Sequence, residues 1–144
     1  MAISICHAQW PRDRHAIRAL RTTVFVEEQN VAPELEWDGL DDECDHVLIF
    51  DADGSAVATG RLQANGKIGR MAVLKSHRRQ GLGGAVLAAL LKIAANRGLD
   101  QVYLHAQTHA LDFYLAKGFT PCGAAFEEAG IAHQKMRLML KHPQ

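Results

Sequence analysis

Apolar residues along this 144-residue chain switch between two periods, and the switches divide it into elements. Ile3 and Ile5 alternate with Ser4 and Cys6, which predicts an opening strand. Past Pro11, the residues Ile17, Leu20, Val24 and Phe25 recur at helical spacing, so a helix is expected to start near the proline. Val47 to Phe50 is a short apolar run of the kind buried in a sheet, and Asp51-Ala52-Asp53-Gly54 reads as a hairpin turn into a strand over 55–63. Asn65-Gly66 is a second turn signal, feeding a fourth strand over 67–73 that completes a three-strand meander.

The longest helical pattern follows. Leu82, Val86, Leu87, Leu90, Leu91 and Ala94 lie at three- and four-residue spacing, with Gly98 placed to cap the end. Residues 101–107, QVYLHAQ, alternate again, with Val102, Leu104 and Ala106 on one face and Tyr103 and His105 on the other. A strand reached through a helix is expected to pair in parallel with the strand before that helix, by a right-handed crossover. A short helix over 109–117 capped by Thr108 and ended by Gly118, a strand over 119–124, a loop over 126–131 and a last strand over 133–140 complete the pattern. The class is α/β, as one domain over 1–144, long enough to bury about 70 % of the surface of its unfolded form.

Charge narrows the function classes. Sixteen basic and sixteen acidic residues cancel, so no overall field favours nucleic acid or an anionic membrane. Cys6, Cys44 and Cys122 are odd in number, far apart and in no metal-ligand spacing, which suits free thiols in the cytoplasm. The N-terminal apolar stretch is too short for a signal peptide, and no run approaches the ~20 residues that span a bilayer. His105 and His109 straddle a strand-to-helix junction, so no metal is expected. Cys122 reads as a small buried thiol without a partner base.

The candidate chemistry lies where the central strand meets the long helix. Arg78-Arg79-Gln80-Gly81-Leu82-Gly83-Gly84 puts two arginines and three glycines at a helix N-terminus, where unpaired amides and aligned dipoles favour phosphate and glycine permits close approach. A Walker loop would need a Lys after the glycines, and the dinucleotide fingerprint would need Gly or Ala where Val86 stands. The spacing that fits is R-x-x-G-x-G.

At Arg78, Gly81 and Gly83 the chain resembles the GNAT N-acetyltransferase superfamily, whose acetyl-coenzyme A pyrophosphate loop has the pattern Q/R-x-x-G-x-G/A between the fourth strand and third helix. The string from Arg18 to Gln29, R-L-x-x-x-G-K-I-G-R-x-A-V over 61–73, Glu36-x-Asp38-x-x-Asp41 followed by His46, and the ending E-E-x-G-I-x-H resemble its YjcF-like or ElaA-like branch. A-L-D-F-Y-L-A-K-G-F over 110–119 resembles the helix that in GNAT proteins carries A-x-x-F-Y-x-x-x-G-F. The resemblance implies an acyl-CoA N-acyltransferase fold: a mixed, mostly antiparallel central sheet of six to seven strands, a parallel pair at its centre, and about four flanking helices.

It also implies direct attack of a primary amine, on a small molecule or a peptide N-terminus, on the thioester of acetyl-CoA within a ternary complex. Backbone of Met71, Ala72 and Val73 would pair with the cofactor's pantetheine, and Arg78, Arg79, Gln80, Gly81, Leu82, Gly83 and Gly84 would surround its pyrophosphate. Gln107 (where many members have Asn), Phe113 and Tyr114 complete the cofactor set. Tyr114 is the candidate acid for the departing thiolate, because a phenol donates while neutral. His46, His133, Glu128 or a carboxylate of the acidic segment is the candidate base. Seven carboxylates between Glu34 and His46 read as a solvated loop, with the alternative that some line the acceptor cleft. Arg21, Arg61 and Arg70 would hold an anionic acceptor or make salt bridges. The expected partners are a small-molecule amine and, as in many relatives of this fold, a second copy in a homodimer. The competing reading is a non-catalytic acyl-CoA-binding sensor of the same fold.

Overall fold

A computed structural model of the chain describes residues 3–140. Strands β1 (Ser4–Ala8), β2 (Asp45–Phe50), β3 (Ala56–Leu62), β4 (Lys67–Val73), β5 (Gln101–Gln107), β6 (Thr120–Pro121), β7 (Phe126–Glu128) and β8 (Ile131–Met139) form one sheet, ordered β1-β2-β3-β4-β5-β8-β6, with β7 also on β8. Helices α1 (Trp10–Arg21), α2 (Pro33–Glu36), α3 (Leu82–Asn96) and α4 (Leu111–Ala116) flank it. Every pairing is antiparallel except β4 with β5. This is the mixed sheet with a central parallel pair that the sequence predicts.

β2 and β3 are buried on both faces, which is why β2 reads as an unbroken apolar run over 47–50. Val86, Leu87, Leu90 and Ala94 of α3 pack on Val47, Ile49, Val57, Leu62, Ile68, Val102 and Leu104. Leu48 points the other way and meets Ile17 and Leu20 of α1 with Trp10. At Gly60 the helix comes so close that a Cβ would stand 2.6 Å from Val86 Cγ1. Among the described residues no helix is long and apolar enough to cross a membrane.

Three segments differ from the sequence-based expectation. The first helix does not run on to Phe25 with α-helical spacing: Thr22–Glu28 is a π-helix, in which Gln29 N–H donates to Val24 O at 3.1 Å. Its run of β-branched residues, Thr22, Thr23, Val24 and Val26, crowds a regular α-helix. The strand expected over 119–124 shrinks to Thr120–Pro121. The loop expected over 126–131 is a hairpin, because Ala129 (φ 52°) and Gly130 (φ 74°) both take the left-handed conformation of a two-residue turn. That hairpin contributes the eighth strand.

Candidate active site

β4 and β5 stay paired over only two positions, Lys67 with Tyr103 and Ile68 with Leu104. Beyond them the strands part. The cause lies on β4: the register against β3 slips between Thr59 and Arg61, and Arg70 takes φ 50°. Two residues of β4 then face one of β3, the bulge bends the strand, and its far half leans away from β5. Leu74 N–H donates to Val57 O. Ladder alternation therefore turns the N–H and C=O of Val73 to the opposite edge, where Arg78 Nε donates to that carbonyl at 3.0 Å.

A cleft of about 500 Å³ opens in this gap. Gly69 and Met71 of β4 and His105 and Gln107 of β5 line it, with Phe25, Gln29, Val31 and Leu35 on one wall. Tyr114 enters from α4, and Glu128 and His133 from the β7–β8 hairpin. Met71, Gln107, Tyr114, Glu128 and His133 are thus gathered from four parts of the chain. Ala72, Val73 and the turn over 78–84 do not border the cleft; they continue from it along β4 to the start of α3.

Tyr114 Oη lies 3.7 Å from Met71 Sδ, and its ring meets Phe113 and Phe119 edge to face. Burial pushes its phenol up to about 12, so it stays a neutral donor across the physiological range. Gln107 Nε2 donates to Gln29 Oε1 at 3.0 Å, linking the end of β5 to the end of the π-helix.

On the hairpin side, His133 Nδ1 lies 2.7 Å from Ile131 O. A carbonyl only accepts, so the proton is on Nδ1 and the neutral ring keeps its lone pair on Nε2. Glu128 Oε2 is 3.9 Å from that Nε2, while His105 Nδ1 and Glu128 Oε1 are 3.1 Å apart. Burial pushes the Glu128 carboxyl up, but His105 and Lys67 outweigh it and hold Glu128 below its ordinary value. Phe126 stands between the imidazoles, stacked on His133 and edge-on to His105. His105 was not expected here, although alternation along β5 places it on the face of Gln107. Among the described residues no group of three or more His, Cys, Asp or Glu side chains is arranged to hold a metal.

The acidic segment is not a solvated loop where it matters. Arg21 reaches Glu36 (2.6 Å) and Asp41 (2.7 Å), Arg61 reaches Asp41 (2.9 Å) and Asp38 (2.5 Å), and Arg70 reaches Glu36 (3.2 Å) and Asp38 (3.3 Å). Three guanidinium groups and three carboxylates neutralise one another beside the cleft, and Arg21, Arg61, Glu36 and Asp41 are buried. Burial pushes the Glu36 carboxyl up; for Asp38 and Asp41 burial does the same but hydrogen bonds from the arginines prevail. The sequence shows the carboxylates close together; their partners arrive from α1, β3 and β4. His46 is absent from the cleft: it is buried, stacked on Trp10 at 4.9 Å, with Nε2 donating to Asp41 O. An imidazole enclosed there does not reach an amine in the cleft. Cys122 is half-buried rather than buried.

At the glycine turn, Arg79 (φ 64°) and Gly81 (φ 79°) are left-handed and α3 begins with no side-chain cap. Its first amides are left for an external acceptor, a geometry that fits the pyrophosphate of an acyl-CoA. Arg78, expected among the cofactor residues, has its guanidinium engaged inside the protein, on Val73 O and on Glu28. Lys117 adds an unforeseen charge, since its Nζ is 3.3 Å from where a Gly84 Cβ would stand. Phe113 flanks Gly83 in the same way at 4.0 Å.

An open mixed sheet parting at a central parallel pair, with an uncapped helix beyond the gap, defines the acyl-CoA N-acyltransferase fold. Residues 15–140 match the family model described as an acetyltransferase (GNAT) domain. The chain is 41 % identical over 121 residues, 81 % of its length and 86 % of the relative's, to the Bacillus subtilis (strain 168) protein described as an uncharacterized N-acetyltransferase, YjcF. The crystal structure of an acyl-CoA N-acyltransferase from Pseudomonas aeruginosa superposes with a TM-score of 0.80 at 33 % identity, covering 94 % of this chain and 97 % of that one. That of Escherichia coli ElaA does so with a TM-score of 0.80 at 30 % identity, over 94 % and 97 %. The chain belongs to the GNAT acetyltransferase family, in the branch that includes YjcF and ElaA.

Proposed function

We propose that the protein transfers the acetyl group of acetyl-CoA to a primary amine of a small molecule or peptide N-terminus, by direct attack with both substrates bound. The observation that carries this reading is the placement of Tyr114 at the parting of β4 and β5, between the uncapped start of α3 and the Glu128–His133 group. Acetyl-CoA, when bound, supplies an activated thioester. The chain's own residues do the rest. The α3 amides and the flanking Lys117 hold phosphate, and on the outward edge of β4 the Val73 N–H donates to the pantetheine arm. A backbone N–H of that edge donates to the oxygen on which negative charge develops. Tyr114 donates its phenolic hydrogen to the leaving sulfur. His133 Nε2 accepts the proton that the amine must shed before attack, and Glu128, oriented by His105, stabilises the imidazolium that results. The three free thiols suit a reducing cytoplasm.

Calorimetric binding of acetyl-CoA, followed by thiol release with a panel of amines, tests the proposal. Binding with amine-dependent release is the expected result. Binding without release from any amine would favour a non-catalytic acyl-CoA sensor, and no binding would overturn the cofactor site itself.

A further inference from the structure

Apart from the histidines, the charged side chains bordering the cleft are Glu36, Asp38, Arg70, Glu128 and Lys67. The first three belong to the arginine–carboxylate network, and Glu128 is held by His105. Lys67 is different: among the described residues its ammonium has neither an ion-pair partner nor a hydrogen bond. Burial pushes it below its ordinary value, and Glu128, beyond ion-pair distance, only partly restores it. A cation held half out of water beside an open cavity, without a counter-charge of its own, calls for one from a ligand.

Its position says which ligand. Lys67 stands opposite Tyr103 in the short parallel pair, so its side chain shares the sheet face of Tyr103 and His105. Along β4 it lies four residues before Met71, roughly 13 Å at strand rise, on the side away from the start of α3. The phosphates belong at that far end. Lys67 therefore serves the acceptor.

Resting on the acetyltransferase reading above, we propose that the acceptor is an amine that also carries a carboxylate, an amino acid or a compound of that type. Lys67 holds its carboxylate, while its amine lies beside His133 and Glu128. Arg70 differs in being already neutralised: its Nη2 donates to Leu35 O, Glu36 O and Asp38, and its guanidinium is ion-paired with the carboxylates of Glu36 and Asp38. A polyamine would set like charge against Lys67, and a neutral amine would leave the ammonium uncompensated. A phosphate monoester, close to doubly charged, overmatches a single cation where a carboxylate balances it.

The test measures thiol release from acetyl-CoA with the twenty amino acids, each beside its carboxamide and, where it exists, its decarboxylated amine, with aminoethyl phosphate as a further arm. Wild type, Lys67→Gln and Lys67→Arg are compared, and calorimetric coenzyme A binding checks that each variant keeps its cofactor site. Loss of one charge-assisted contact corresponds to roughly tenfold or more in affinity. Wild type is expected to favour a carboxylate-bearing amine by about that factor, mainly through KM. Lys67→Gln loses the preference and Lys67→Arg retains most of it. Equal rates with the carboxamide or decarboxylated partner, a preference for the phosphate, or a preference unaltered by Lys67→Gln would each overturn the carboxylate assignment and leave the transferase reading standing. Coenzyme A binding with no release from any amine would instead overturn the transferase reading, and this inference with it.

Discussion

Arg78 and Glu28, 50 residues apart in the chain, meet through two parallel hydrogen bonds, Nη1 to Oε2 at 2.5 Å and Nη2 to Oε1 at 2.8 Å. With Arg78 Nε on Val73 O, one guanidinium joins the π-helix, β4 and the glycine turn. Both side chains are about one-third exposed, so the pair itself stabilises the fold by about 1 kcal/mol at most. Under the proposed function, its effect is to keep the turn shaped for phosphate. Glu28→Gln should leave the urea midpoint nearly unchanged and weaken coenzyme A binding by roughly threefold or more through lost preorganisation. Equal affinity in calorimetry would show that the turn holds its shape without the pair.

Replacing Tyr114 by Phe removes the donor and keeps the ring contacts to Phe113 and Phe119. Turnover should fall by roughly a hundredfold with little change in coenzyme A affinity. Because the phenol is pushed up to about 12, the wild-type rate should show no loss from tyrosine ionisation at pH 9. An unaltered rate in the variant would remove Tyr114 from the reaction.

A Cβ at Gly83 would meet only Phe113 Cζ, at 4.0 Å, so the fold has room for a side chain there. A pyrophosphate bound as proposed would leave none. Gly83→Val should unfold close to wild type yet bind coenzyme A at least tenfold more weakly, because the side chain stands over the first amides of α3. A variant that binds normally would move the phosphate site elsewhere.

Arg21→Met leaves Glu36 and Asp41 buried with a guanidinium missing between them. Breaking a buried pair on one side costs about 3–5 kcal/mol, and urea unfolding should register a loss of that order. A change below ~1 kcal/mol would mean that water reaches the carboxylates.

Burial lowers His46 from its ordinary 6.5. The unfolded chain therefore takes up this proton at a higher pH than the folded one, so the contribution is present above about 6.5 and is lost as pH falls towards the folded value. Wild-type stability should decline as the pH drops below 6.5, well before the carboxylates titrate. His46→Gln should flatten that limb; the same slope in both proteins would assign it to other histidines.

Much of the fold is local chemistry and can be read from the chain. Gly98 and Gly118 end helices in left-handed conformations, with Leu99 N–H on Ala94 O and Phe119 N–H on Tyr114 O, as expected of C-terminal glycines. Turn residues at 51–54 and 65–66 and the alternation in β5 likewise act over a few residues. The short β7 strand escaped because three residues, two of them Glu, carry no period, and its turn depends on Ala129 accepting a positive φ.

Local pattern set the order of elements, the apolar face of α3, the glycine turn and the residue types that resemble a GNAT site. Long-range packing set the partners and surroundings of those residues. Glu36, Asp38 and Asp41 are neutralised because Arg21, Arg61 and Arg70 reach them from distant elements. His46 is enclosed by α1 while His105 and Lys67 face the cleft. Periodicity states which residues share a face of one element, but a charge's partner and a cleft's lining depend on which faces the sheet brings together, and that is settled by burial across the whole chain.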